Sequence, residues 1–322
     1  MALPVRLSGI GITSSPDEGP WGVGAGSRLA TVLSALPHGE SPVRLFHPIE
    51  AMALVAAYET LSQAGVSLPV GGDGIGIALG VDEGIDGIKA RYYQGVLSEG
   101  PLGASPMAFP FTTPNTIAAR ICILLDLRGE SLTVCGGNLS GAQAIGLAME
   151  ALREGRSNGV LAGGATCVEQ EFLDALCHVG QPDGGQPRGA ACLLFLEPQV
   201  PAGKTNGMAE LIGYAEGFGK DEIRDAIQGC LEDAGLFPEQ LRSVRAASVL
   251  DSCLLSEVLR RVRVNTPIVG SPAANLYSAS FPAAVAEAAT QAANGTPGPI
   301  LVVGTDCLAG ASAALVRVGG RQ

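Results

Sequence analysis

Two side chains beside one predicted helix have the chemistry to react with a ligand or to bind one. Cys135 lies in the apolar segment SLTVCG (131–136), and Asn138 directly precedes the helical pattern LSGAQAIGLAMEALREG (139–155). A thiol at a helix N-terminus can become a nucleophile, because that position lowers its pKa. An amide is not a nucleophile, but it can hydrogen-bond a ligand carbonyl or cap the helix. A strand and the helix that follows it must therefore position both side chains.

The other residues with catalytic or metal-binding side chains show no such grouping. His38, His47 and His178 lie in loop-like segments and pair with no thiol in the sequence. The eight cysteines lack C-x-x-C spacing and lie mostly in apolar runs such as ARICILL and AACLLFL. We therefore expect ordinary surface or turn histidines and buried, reduced thiols, with neither a metal site nor a disulfide.

Composition and glycine patterns exclude several classes of partner and cofactor. The net charge of −11 argues against nucleic acid or an anionic membrane as the partner. No secretion signal or 18-residue apolar span occurs, which predicts a cytoplasmic protein. The glycine-rich segments 21–28 and 72–80 lack the context of a dinucleotide or P-loop site, so no nucleotide cofactor is expected.

Apolar strand-like segments alternate with amphipathic helical segments along the chain, which predicts an α/β fold of layered sheets and helices. The predicted strands are 5–12, 74–81, 131–136, 158–165, 190–198, 209–217, 245–251, 299–306 and 311–319. The predicted helices are 48–65, 114–127, 139–155, 220–235, 256–262 and 282–295. The Pro- and Gly-containing segment 198–207 suits a linker, which predicts two halves at 1–200 and 201–322.

The stretch 133–166 resembles the signature of the β-ketoacyl synthases, T-A-C-S-S-G-x-x-A-I, a helix, G-x-x-D/N and G-G. The residues that match are Ser140, Gly141, Ala142, Ala144, Ile145, Gly155, Asn158, Gly163 and Gly164. Further matches lie upstream at Ser105, Pro106, Pro110, Asn115 and Gly129, and downstream at Pro182, Asp183 and Glu197. The resemblance implies the thiolase fold, a five-layer α-β-α-β-α sandwich of two similar halves.

Every catalytic position of that family is replaced in this sequence. Asn138 occupies the position of the nucleophilic cysteine. Ala247 lies near the first histidine position, Ala273 near the lysine and Ser278 near the second histidine. The segment CLAGAS (307–312) replaces the family's G-F-G-G-T-N loop. Four losses together imply that condensation chemistry has been abandoned. In the family pattern Cys135 is still on the strand, which implies a buried interface thiol.

A family member without catalytic groups resembles the chain length factors, which pair with an active ketosynthase in type II polyketide systems. The resemblance implies that strand Ser131, Leu132, Thr133, Val134 and Cys135 pairs with the mate. It implies that Met107, Phe109, Phe111 and Thr112 reach the mate's acyl tunnel, where their size limits the product. The substrate of the complex would be acyl chains on the phosphopantetheine arm of an acyl carrier protein, with no bound cofactor, in a polyene-type or highly reducing system.

Two other readings stay open at this point. The first is a malonyl-carrier decarboxylase that uses Asn138. The second is a homodimeric acyl-binding scaffold. For Phe109 and Phe111, simple interface packing remains an alternative to tunnel gating.

Overall fold

The computed structural model describes residues 3–14, 23–36, 46–72, 74–82, 84–169, 189–199, 208–247, 252–269, 276–295, 298–306 and 310–318. Within these ranges the strands are β1 (Val5–Ser14), β2 (Ile75–Val81), β3 (Ser131–Val134), β4 (Gly159–Thr166), β5 (Ala190–Pro198), β6 (Ala209–Phe218), β7 (Ser243–Ala246), β8 (Ile300–Thr305) and β9 (Gly310–Val318). The helices are α1 (Val23–Ala35), α2 (Pro48–Gln63), α3 (Asp86–Glu99), α4 (Asn115–Leu125), α5 (Ser140–Arg153), α6 (Glu222–Ala234), α7 (Ser252–Arg261) and α8 (Ser280–Ala293).

The strands follow the order β3-β2-β4-β5-β1-β6-β9-β8-β7. In each half a parallel group lies at the outer end: β3, β2 and β4 in the first half, β7 and β8 in the second. The central strands β5, β1, β6 and β9 are antiparallel. β1 meets β6 only through residues 5–7 and 209–211, so this short ladder joins the sheets of the two halves.

Three buried apolar clusters divide the molecule into layers. The central cluster packs α5 and α8 between the inner faces of both sheets. A second cluster buries α2 and α4 against the outer face of the first sheet. A third buries α6 and α7 against the outer face of the second sheet. The two sheets enclose one layer of helices, and two further helical layers cover their outer faces. This arrangement confirms the predicted five-layer, thiolase-like sandwich.

Most predicted elements are confirmed within a few residues, but two helices were missed. α3 has only one buried residue, Gly87, so it shows no apolar stripe in the sequence. α1 starts in a glycine-rich segment and is held by packing of Leu29, Val32 and Leu33 in the outer cluster. The predicted strand 245–251 is wrong in its bounds, since β7 ends at Ala246.

Some sequence predictions lie outside the described residues. They include the linker at 200–207, His38, His178, Ala273 and residues 307–309 of the replaced loop. The division at residue 200 therefore stays a prediction. In the described part of the chain, no helix is both long and apolar enough to cross a membrane.

Candidate functional site

The turn between β3 and α5 lies at the edge of the sheet where the parallel strands β2, β3 and β4 all end. Such an edge is the usual place for ligands in α/β proteins. Cys135 directly follows β3 and is exposed in the single chain, so it lies just past the strand on which it was predicted to be buried. Asn138 is half-buried two residues before the start of α5.

Ser140 holds the turn in shape. Its Oγ accepts a hydrogen bond from the Gly136 N–H at 2.8 Å and donates one to the Gly137 carbonyl oxygen at 2.6 Å. Gly80 on β2 lets the helix start approach closely, because a Cβ at that position would overlap the Ser140 backbone. The geometry of a nucleophile-bearing turn is therefore kept although the side chain at 138 is an amide.

The amide of Asn138 does not cap α5. The N-cap residue is Leu139, and this end of the helix has no side-chain cap hydrogen bond. Of the two roles left open for Asn138, the structure therefore does not show helix capping. Its half-buried side chain remains available to accept or donate a hydrogen bond at the mouth of the turn.

The two histidine positions lie in the interior behind the turn. Ala247 is 1% exposed, and its N–H donates to the Val303 carbonyl oxygen at 2.8 Å. Ser278 is fully buried, and its hydroxyl donates to the Ala165 carbonyl oxygen at 2.9 Å. The backbone of Ser278 also lies against Gly141 of α5, where a Cβ would overlap its carbonyl oxygen. The Ser278 backbone thus contacts the first turn of α5, and Ala247 lies near Gly304 of β8, as does Leu139.

Apolar side chains fill the space between these positions. A Cβ built on Gly304 of β8 would lie 2.8 Å from Phe281, 3.4 Å from Ala247 and 3.5 Å from Leu139. Phe281 and Leu139 are themselves buried, at 1% and 3% exposure. Apolar side chains therefore occupy this part of the described interior, and neither Ala247 nor Ser278 carries an imidazole that could stabilise an enolate oxygen.

The thiols near the site are not activated. Burial raises the pKa of Cys135, and the charge of Asp82 raises it further against the opposing effect of Lys89. Burial raises the pKa of Cys167 to about 12, with a further rise from the charge of Glu169. Because the thiolate is the reactive form, these shifts make both cysteines weaker nucleophiles at neutral pH than an unperturbed thiol.

Acidic side chains surround the mouth of the turn. Burial raises the pKa of Asp82, which follows β2, and the negative charges of Asp86 and Asp306 raise it further. Asp306 follows β8, so carboxylates from both halves face this edge. This grouping disfavours a negatively charged ligand there, because like charges repel. Among the described residues, no three metal-ligating side chains come together.

Sequence reasoning missed a polar network beside the site. His47, predicted as an ordinary turn residue, has its Nε2 2.9 Å from Glu169 Oε1, and Glu169 Oε2 accepts from the Gly87 N–H at 2.9 Å. The His47 N–H donates to Glu50 Oε2 at 2.9 Å, and Arg120 Nη1 donates to the same oxygen at 2.8 Å. These partners are up to 122 residues apart in sequence, which is why no local pattern reveals them.

The four residues predicted to face a partner adopt two environments. Met107 and Phe109 are exposed, and the Phe109 ring lies 5.9 Å from the ring of Tyr92 on α3. Phe111 is half-buried and turns toward Arg120, while the Thr112 hydroxyl donates to the Phe109 carbonyl oxygen at 2.7 Å. Nearby, β3 is an edge strand of the described sheet, and its Leu132 is 38% exposed.

Parts of this chain are similar in sequence to known proteins. Residues 39–180 match the family model "Beta-ketoacyl synthase, N-terminal domain". Nodulation protein E of Rhizobium leguminosarum bv. trifolii is 28% identical over 243 residues, which cover 66% of this chain and 60% of that protein. A spectinabilin polyketide synthase system protein of Streptomyces orinoci is 32% identical over 122 residues, 38% of this chain and 5% of that protein. The chain thus spans 60% or less of these relatives.

Solved structures share the whole fold at low identity. The ishigamide ketosynthase/chain length factor has a TM-score of 0.79 at 17% identity, covering 99% of this chain and 100% of that chain. A ketosynthase in complex with its chain length factor from Xenorhabdus doucetiae has a TM-score of 0.74 at 12% identity, with 98% of each chain covered. At such identities the likeness establishes the fold alone.

Proposed function

We propose that this chain, which has a thiolase-like fold and matches the β-ketoacyl synthase N-terminal domain over residues 39–180, is a non-catalytic, chain length factor-like subunit of the β-ketoacyl synthase family. It pairs with an active β-ketoacyl synthase and shapes the tunnel that holds the growing acyl chain. The complex elongates a type II polyketide of polyene or highly reduced type, on the phosphopantetheine arm of an acyl carrier protein. The chain itself holds no cofactor.

The observation that carries the proposal is the interior location of Ala247 and Ser278 behind Asn138. Both positions are fully buried, and Leu139 and Phe281 pack in the space beside them. Restoring one catalytic residue would leave this packed core in place. The nucleophile is also absent, since an amide forms no thioester at position 138. The chemistry must then come from another chain.

The exposed apolar side chains around β3 support a large partner surface. Met107, Phe109, Ile123 and Leu132 are all exposed: Leu132 lies on β3, Ile123 on α4, which packs against β3, and the other two in the segment before α4. Large apolar side chains grouped at a sheet edge mark an interaction site in a soluble protein. Solved structures of the same fold include a ketosynthase/chain length factor and a ketosynthase in complex with its chain length factor, which agrees with a ketosynthase as the partner.

The direct test is co-expression of this chain with an active ketosynthase from the same source, followed by native mass measurement and product analysis. We expect a one-to-one complex that condenses acyl units. Activity should be lost when the ketosynthase cysteine is replaced and retained in Asn138→Ala of this chain. A complex that loses all condensation in Asn138→Ala would contradict a non-catalytic role.

The same experiment separates the two alternatives. A decarboxylase would release CO₂ from malonyl-carrier protein without any ketosynthase, and Asn138→Ala would abolish that release. The acidic side chains at the mouth disfavour this, since the malonyl carboxylate is an anion. A homodimeric scaffold would form a stable dimer of this chain alone and ignore the ketosynthase.

A further inference from the structure

We propose that Arg120 is a positioning residue for the partner-facing segment 107–112, and that it acts by holding the ring of Phe111. This inference rests on the proposed function, and it names a specificity-determining residue that lies outside the tunnel wall. In the proposed complex, Arg120 would therefore influence product length without contacting the acyl chain.

The guanidinium of Arg120 on α4 lies against two aromatic rings. Its central carbon is 3.9 Å from the centroid of Phe46 and 6.0 Å from the centroid of Phe111. Both distances are within the range of cation–π attraction. Phe46 is buried at 3% exposure, so its ring is a fixed surface. Arg120 therefore connects a fixed ring in the core to a ring of the partner-facing segment.

Glu50 fixes the guanidinium in this place. Its side chain is 5% exposed, and its Oε2 accepts hydrogen bonds from Arg120 Nη1 at 2.8 Å and from the His47 N–H at 2.9 Å. A buried carboxylate must remain paired, because removing one partner leaves an uncompensated charge. Since Glu50 lies in the first turn of α2, which is buried along most of its length, Arg120 is anchored to the core.

The turn that carries Phe111 transmits its position to Phe109 and Met107. Residues Phe109–Thr112 form a 3-10 helix, with the Phe111 N–H donating to the Ala108 carbonyl oxygen at 3.0 Å. The Thr113 hydroxyl also donates to the Pro110 carbonyl oxygen at 3.1 Å. Because these bonds hold the turn together, a shift in the position of the Phe111 ring also changes the orientation of the exposed Phe109 side chain.

The test measures product length in the two-subunit complex, by mass spectrometry of the released chains. Arg120→Lys keeps a positive charge opposite Glu50 but replaces the planar guanidinium, which lies near both rings, with a compact ammonium. We expect the ratio of off-length to native-length products to rise about fivefold, the scale of one cation–π contact, because an ammonium held at Glu50 cannot lie near both rings. The ratio is compared only between complexes of unchanged native mass and thermal midpoint. Arg224→Lys, on an exposed arginine of α6, is the matched control and should leave the ratio unchanged.

Two further variants keep the inference falsifiable. Phe46→Leu removes the fixed ring without touching any charge, and it should shift the ratio in the same direction as Arg120→Lys. If Arg120→Lys fails to assemble, Phe46→Leu alone tests whether Arg120 positions Phe111.

Phe111→Ala tests the proposed function itself, because loss of the ring must change product length if the segment reaches the tunnel. If Phe111→Ala shifts the ratio while the assembled Arg120→Lys or Phe46→Leu complex does not, the inference is overturned. If Phe111→Ala has no effect, tunnel shaping by this segment fails.

Discussion

The hydroxyl of Ser278 donates a 2.9 Å hydrogen bond to the carbonyl oxygen of Ala165, at the end of β4. This bond ties the second half of the sandwich to the first, directly behind the β3–α5 turn. Ser278 points inward and is fully buried, so in this structure its side chain serves the packing of the core.

Restoring the nucleophile alone should not restore condensation. We expect Asn138→Cys, made in a Cys135→Ser background, to react with iodoacetamide, because position 138 is half-buried at the N-terminal end of α5. We expect no condensation of malonyl units, since positions 247 and 278 supply no imidazole. Peptide mass spectrometry measures alkylation, and a carrier-protein assay measures condensation. Any condensation product from the chain alone would contradict the interpretation of the site.

Close packing around Ser278 predicts a marked difference between two glycine substitutions. A Cβ at Gly164 would overlap the Ser278 carbonyl oxygen, whereas a Cβ at Gly72 would meet nothing within 4 Å. Gly164→Ala should lower the free energy of unfolding by about 1–3 kcal/mol. Gly72→Ala should change it by less than about 0.5 kcal/mol. Urea denaturation measures both, and equal effects would show that the two halves are not packed as tightly as described.

The sequence predicts well those elements whose burial follows a simple period. β5 is a continuous apolar run and has the predicted bounds, 190–198, because all of it up to Leu196 is buried between two neighbouring strands. α5 is confirmed within two residues at each end. α3 was missed because its side chains face solvent, and a helix without a buried stripe leaves no periodic signal.

The candidate site was predictable only in part, because its contacts join residues that are far apart in the sequence. That positions 138, 247 and 278 belong to one site is implied by the resemblance, but not by any local pattern. The pairs Arg120–Glu50 and His47–Glu169 join residues 70 and 122 positions apart. Such pairs depend on the packing of α2, α3 and α4, so they become visible only once the fold is known.

Acid should weaken the contribution of Glu169 to stability. Burial alone raises the pKa of Glu169, but hydrogen bonds from His47 and from the Gly87 N–H lower it overall below 4.5. A carboxyl with a lowered folded-state pKa stabilises the fold above its unfolded pKa, and this stabilisation is lost as pH falls through the folded value. The groups that act on this carboxylate are His47, Gly87 and Asp86.

The measurement is the difference in unfolding free energy between the native chain and Glu169→Gln, followed by urea denaturation from pH 7 to pH 3. Glutamine keeps an acceptor for the Gly87 N–H but carries no charge. We expect a constant difference above about pH 5 that shrinks steadily below pH 4.5. A difference that grows on acidification would overturn the assignment.

A charge on the β3 edge should disrupt the proposed complex while leaving the fold intact. Leu132 is 38% exposed on this strand, and a lysine there would have to be buried in any strand pairing. Leu132→Lys should therefore weaken binding to the ketosynthase by about tenfold or more. Leu254→Lys, at a 48% exposed leucine of α7, is the control and should bind normally. Surface plasmon resonance measures both, and equal binding would place the interface elsewhere.

The open edge of β3 also bears on how such a protein is produced in a cell. Unpaired backbone groups on an edge strand recruit other strands, so each copy made in excess of the proposed ketosynthase partner would be prone to aggregation. Synthesis of the two chains in matched amounts, close together in space and time, would limit the lifetime of the uncovered edge. The same edge makes the solitary chain a natural target for quality-control proteases, so its abundance should follow that of its mate.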